Sequence, residues 1–271
     1  MEQAAYREWV PTGTFVKATA CMHADSKVDE IHARLLGFIE RMVDPKKVEQ
    51  DKRWHREPNI SYGFSASDYV KVYDEFNPHF YDLTLKERIE LARKLIKSEN
   101  STITHIGIHI FRLSRRELDQ YYFWRLDECL DNVTEWGNTD LFCGAVIQPI
   151  LERRPNQVIK LLRKWNQSKN KWKRRASVVT FTRKTAKNGK FIDIALELCN
   201  NLIWDSEDLV RKGVGWALKD NMRFDKKRVI EYVKDLRRKG VSSTITLYAI
   251  RDLKGEERQE VLSIKASKNK V

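Results

Sequence analysis

The sequence predicts an all-α protein, an α-solenoid or superhelix of HEAT-like antiparallel helical pairs with a concave groove. Three observations predict it. Gly (11) and Pro (6) are scarce in 271 residues, while Lys, Glu, Leu and Arg abound, which favours helices over a sandwich or barrel. From about residue 60, amphipathic segments of roughly 12–16 residues follow one another with short links. Their rhythm is one of pairs, as in stacked helical repeats whose concave face suits an extended polymer. A compact, irregular helical bundle is the competing architecture.

Residues 1–60 are the least legible part, read as extra N-terminal helices. Within them Val28, Ile31, Leu35, Leu36 and Ile39 mark one apolar face of a helix over 26–43. Ser65 caps a helix carrying Tyr69, Val72, Tyr73 and Phe76, and Thr84 with Glu87 forms a capping box before Ile89, Ala92, Leu95 and Ile96. Helices are expected at about 101–113, 115–130, 136–152 and 155–166, then from Ser168 to about 185 and over 190–203. Asp205 or Ser206 caps 207–220, Asp225 precedes 226–238, and Gly240 stands just past that helix. Ser242 or Ser243 opens the last helix, to about 253. The expectation is a single domain over 1–253 and a loose tail over 254–271.

Composition bounds the function. Hydrophobic residues make up 41% of the chain, with eight Trp, so the chain is globular. Cys21, Cys129, Cys143 and Cys199 lie far apart without a CxxC, as buried thiols in a reducing cytosol do. No N-terminal apolar run reads as a signal peptide, and no stretch approaches the length of a membrane span. There is no P-loop, GxGxxG, GxSxG or iron–sulfur Cys quartet, and His105 and His109 lack the Glu of a zinc protease motif. The expectation is a soluble cytoplasmic monomer with no metal, no cofactor and no membrane partner.

The charge is concentrated. The chain carries 51 basic and 38 acidic residues, a net charge of +13. Arg153 to Lys190 holds 14 Lys or Arg and no acid, leaving 37 basic and 38 acidic residues elsewhere. Such a footprint points to a phosphate backbone. Leu161, Leu162, Trp165, Trp172, Val178, Val179 and Phe181 run through it at helical spacing, so it is a folded basic surface and not a disordered arm.

Three features carry chemistry. Arg175 projects between Val178 and Val179 on the apolar side of its helix, with Lys173 and Lys184 on the solvent side. A guanidinium among apolar residues needs a carboxylate or a phosphate, and its fork suits either. Trp136 and Asp140 stand four apart, one helical turn, although EWGNTD also reads as a helix start where the acid favours the dipole. Trp216 flanks the stripe of Leu209, Val210, Gly213, Val214 and Ala217, covering the core edge or lining a groove.

Together EWGNTD (135–140), SKNKWKRRASVV (168–179) and DSEDLVRKGVGWALKD (205–220) resemble the DNA alkylation repair family of alkylpurine DNA glycosylases, over about residues 60–253. The resemblance implies a HEAT-like solenoid with DNA in its concave face and Trp136, Asp140, Arg175 and Trp216 at the active site. Binding to duplex DNA is expected to be driven by the basic face, with contacts at Lys169, Asn170, Lys173, Arg174, Arg175 and Lys212. The resemblance also implies hydrolysis of the N-glycosidic bond of cationic N3- or N7-alkylated purines, in a cytoplasmic, nucleoid-associated protein. A positively charged base is already a good leaving group, so the enzyme's task is to stabilise an oxocarbenium-like sugar. A carboxylate does that and orients water. In this reading Asp140 is that carboxylate, Trp136 and Trp216 face the cation, and Arg175 holds the phosphate beside the lesion. The chain departs from the family in its long N-terminal lead, in Gly137 after Trp136, and in the strength of its basic stretch. The alternatives are a non-catalytic HEAT-like protein that binds nucleic acid or serves as a scaffold, and a binder of structured RNA.

Overall fold

A computed structural model describes residues 16–54, 60–118 and 122–266, with side chains from residue 27 onward except Trp54. Its helices are α1 (Val16–Arg41), α2 (Pro45–Trp54), α3 (Ala66–Tyr81), α4 (Leu85–Ile96), α5 (Ser101–Ser114), α6 (Phe123–Asp131) and α7 (Trp136–Phe142). A π-helical turn, Cys143–Ile147, joins α7 to α8 (Gln148–Arg153). There follow α9 (Pro155–Asn166), α10 (Lys171–Val179), α11 (Arg183–Lys187), α12 (Ile192–Asn201), α13 (Asp208–Asn221), α14 (Lys226–Arg238), α15 (Ser243–Ala249) and α16 (Gly255–Ser263). Among the described residues there is no strand, only a bridge between Ile60 and Asn100.

Local chemistry sets the ends. The Ser65 N–H donates to Asp68 at 2.9 Å, and Thr84 and Glu87 exchange the bonds of a capping box. Asn100, Asp225 and Ser242 accept from the first free N–H groups of α5, α14 and α15. Gly240 turns left-handed (φ 77°) after α14, as the sequence predicts.

The helices form two layers. The helices α5, α7, α10, α13 and α15 pack each on the next. Behind them α4 backs α5, α9 backs α10, α12 backs α13 and α14 backs α15. This is the all-α solenoid the rhythm predicts, with one continuous apolar core from Val28 to Val261. A fully buried Leu, Ile or Phe contributes about 1.5–3 kcal/mol, while exposed ion pairs give about 0–1 kcal/mol, so the core holds the stack together.

Polar contacts set its register. Asn138 donates to the Ser101 carbonyl, Asn166 to Leu198, and Asn221 to Phe181, across separations of 37, 32 and 40 residues. Arg93–Glu128, Asp140–Arg175 and Asp193–Arg228 are each 35 apart. One repeat is thus clamped to the next at a near-constant interval.

Four expectations are corrected. The helix expected over 115–130 begins only at Phe123, behind residues 119–121, which lie outside the described set. The expected helix over 136–152 opens into the π turn. The helix expected from Ser168 to 185 starts at Lys171, capped by Asn170, and stops at Val179. There the Thr180 and Thr182 hydroxyls bond back to Ala176 and Val179, competing with helix continuation. Gln148 donates to the Thr180 and Thr182 carbonyls and Asn221 to Phe181, so the broken turn is fully satisfied. Finally, 254–271 is not a loose tail throughout: α16 buries Val261, and Arg237 donates to the Leu262 and Ile264 carbonyls. Residues 1–15, 55–59 and 267–271 lie outside the described residues, as does the side chain of Cys21. Cys129, Cys143 and Cys199 are buried free thiols.

Candidate active site

The layered stack brings distant residues together. Trp136 and Asp140 come from α7, Arg175 from α10 and Trp216 from α13, three helices packed in succession. Glu135 caps α7, accepting from Gly137 and Asn138 N–H groups, and so fixes where Trp136 starts the helix. Trp136 is 48% exposed, whereas Asp140, one turn on, is buried. Trp216 is half-buried at the core edge.

Asp140 and Arg175 meet in a buried bidentate pair: Nε donates to Oδ1 at 2.9 Å and Nη2 to Oδ2 at 2.8 Å. Arg175 Nη1 donates to the Leu209 carbonyl of the α13 entry. The guanidinium therefore links α7, α10 and α13, and two of its three nitrogens hold Asp140. Burial pushes the Asp140 carboxyl above the usual carboxylate range, and Arg175, then Arg183, oppose that push. Arg175, expected to hold a phosphate, here donates to the Asp140 carboxylate and the Leu209 carbonyl.

Arg183 is the neighbour that sequence reasoning missed. Its guanidinium lies 5.2 Å from the centre of the Trp216 ring, and its charge acts on Asp140. Its backbone is left-handed (φ 54°), and its N–H donates to the buried carboxylate of Asp220 at 2.7 Å. A non-glycine residue in that region costs on the order of 1–3 kcal/mol and is held there by its surroundings. The signal was the Thr180-Phe181-Thr182 run, whose hydroxyls end α10 and free Arg183 to turn.

The residues expected to meet DNA divide differently from the reading of the sequence. Lys169 is exposed. Asn170 spends its side chain capping α10. Lys173 is not on the solvent side: it is buried and paired with Asp127 at 2.8 Å and Asp131 at 2.7 Å. Arg174 is bound to Asp205 at 2.6 Å and to the Ser168 and Lys169 carbonyls. Lys212 pairs with Asp208 at 2.7 Å. The basic stretch is acid-free in sequence but not in space. Lys164, Lys173, Arg175 and Lys190 find carboxylates at Asp127, Asp131, Asp140 and Glu152, while Arg163, Lys171 and Arg174 find them at Glu197, Glu207 and Asp205. Much of the footprint therefore holds the stack in register.

His105 and His109 stack on Tyr69 and Tyr73 with centroids 3.9 and 3.7 Å apart, and burial lowers their pKa values to about 4 and 3. They stay neutral and close the α3–α5 seam. Among the described residues no group of His, Cys, Asp and Glu is placed to hold a metal, and no helix is long and apolar enough to cross a membrane.

A family model described as DNA alkylation repair enzyme matches residues 38–253. The chain belongs to that family. The solved structure described as "Predicted DNA alkylation repair enzyme from Enterococcus faecalis" shares 11% identity, covers 78% of this chain and 96% of its own, and superposes with a TM-score of 0.70. At that identity it bears on the fold alone. No curated protein matches the chain. Membership assigns this family member to DNA repair and to binding DNA.

Proposed function

We propose that this family member is a DNA glycosylase of base excision repair. It hydrolyses the N-glycosidic bond of cationic N3- and N7-alkylpurines in duplex DNA, acting as a monomer in the cytoplasm, at the nucleoid. The observation that carries the reading is a buried carboxylate, Asp140, oriented by a bidentate arginine between helices that bear Trp136 and Trp216. A cationic purine needs little or no general acid. Asp140 faces the charge that develops on the sugar and orients water, while the Trp faces attract the cationic nucleotide at about 0.5–2 kcal/mol each. Arg175 keeps Asp140 ionised and aimed. The stacked helices supply the HEAT-like groove for the duplex.

The test is release of free base from methylated duplex DNA. Wild type should release it, and Asp140→Asn should lose about 10²–10³ in rate while binding undamaged DNA equally well or slightly better. Uracil, which leaves without a preformed positive charge, should not be released. Equal excision by the variant, or efficient uracil release, overturns the mechanism. One observation favours a second reading, a non-catalytic nucleic-acid-binding scaffold: a bidentate Asp140–Arg175 pair is also what a purely structural ion pair looks like. Absence of base release by wild type would decide for it.

A further inference from the structure

Seven cations of the basic stretch are tied to carboxylates, so the question is where uncompensated positive charge collects. It collects beside the site, in a depression of about 340 Å³ lined by Arg112, Arg115, Leu141, Gly144, Ala145, Pro149 and Arg183. The two rims are cationic: Arg112 and Arg115 from the end of α5, Arg183 from the start of α11. The floor is apolar and comes from the last residues of α7 and the π turn, beginning at the residue next to Asp140. Among the described residues no carboxylate lies within ion-pair distance of these three arginines.

The rim is held in place. Arg115 Nη1 donates to the Arg112 carbonyl at 2.6 Å, and Arg153 donates to the Arg115 and Arg116 carbonyls, tying the end of α8 to the end of α5. Burial, then Arg154, Arg115 and Arg116, depress the Arg153 guanidinium, a sign of like charges crowded without acids. Arg183 is fixed by its left-handed backbone and by Asp220.

We propose that this cleft is a backbone-binding subsite for a DNA strand, with phosphates between the Arg112, Arg115 and Arg183 guanidinia and a deoxyribose on the Leu141–Gly144–Ala145 floor. Guanidinium forks match phosphate oxygens in pairs, and an apolar floor between them matches the sugar that links two phosphates. The cleft anchors the strand one step from Asp140, so it sets which nucleotide faces the carboxylate. The inference rests on the duplex-DNA reading above but not on base release.

The experiment measures binding to undamaged duplex DNA across a salt series. R112A/R115A should weaken binding about tenfold or more and flatten the log–log salt slope by about 2, one per lost phosphate contact. R112K/R115K, which keeps the charges, should retain most of the slope. K226A/K254A removes the same net charge from a pocket that also holds Asp252 and Glu257, and should leave the slope unchanged. If the alanine pair unfolds, R112Q/R115Q takes its place. An unchanged slope in the neutral pair, or an equal loss in K226A/K254A, overturns the cleft. Slope loss without base release by wild type upholds the cleft and sinks the glycosylase. Base release with an unchanged slope does the reverse.

Discussion

Asp140 and Arg175 are each meaningful only through the other. The bidentate pair predicts that Arg175→Ala destabilises the free protein by about 3–5 kcal/mol, because it leaves a buried carboxylate unpaired. Denaturant unfolding without DNA measures this, and an arginine serving only to hold phosphate would leave that stability unchanged. The pH response has a definite sign. In the proposed mechanism Asp140 acts ionised, and burial raises its pKa, so base release should fail on acidification at a pH above that of an ordinary carboxylate, about 3.9. A rate profile flat down to that value would contradict the assignment. At this scale the sequence was legible where a residue type was chemically expensive. An arginine among apolar neighbours announced a partner, and the motif resemblance pointed to Asp140. Arg183 stayed hidden because its importance comes from its left-handed backbone, at which the Thr180 and Thr182 hydroxyls that end α10 hint only indirectly.

Among the elements, α13 and α15 approach too closely for any side chain at Gly215. A Cβ there would stand 2.7 Å from Tyr248 Cβ and 2.9 Å from the Ile245 carbonyl oxygen. Gly215→Ala should therefore cost about 1–3 kcal/mol despite the better helix propensity of alanine, measured by thermal or denaturant unfolding. A neutral or stabilising result would mean that the two helices slide apart freely. The elements themselves were readable from apolar stripes and caps, which act within a few residues: Thr84 with Glu87, Asp225 and Gly240 fall where the spacing puts them. The break after α10 was not readable. It is stabilised by amides from Gln148 and Asn221, 32 to 40 residues away in sequence, and no window of local sequence contains them. The same holds for α16, whose polar face hides a single anchoring Val261.

For the whole molecule, the solenoid was legible as rhythm, while the destination of the charge was not. Counting acids along the chain treats Arg153–Lys190 as one unneutralised block, whereas the stack sets carboxylates from the preceding and following repeats against it. In the native state seven of these cations have a carboxylate within ion-pair distance, but in the unfolded chain these 14 cations have no acid among them. Modest salt, on the order of 0.1–0.2 M, should therefore speed refolding by weakening repulsion across a Debye length of about 8–10 Å. Stopped-flow refolding across a salt series measures this, and a rate that falls with salt would contradict it. The order of events follows from the same arrangement. Stacked repeats in general can begin to form anywhere. Here the centre is a poor starting point: in isolation it repels itself, and its compensating acids arrive from both sides. On a growing chain Asp127, Asp131, Asp140 and Glu152 are already present when the block emerges, but Glu197, Asp205 and Glu207 are not. Arg163, Lys171 and Arg174 wait for them, so the middle of the molecule completes its ion pairs only once the following repeat has emerged.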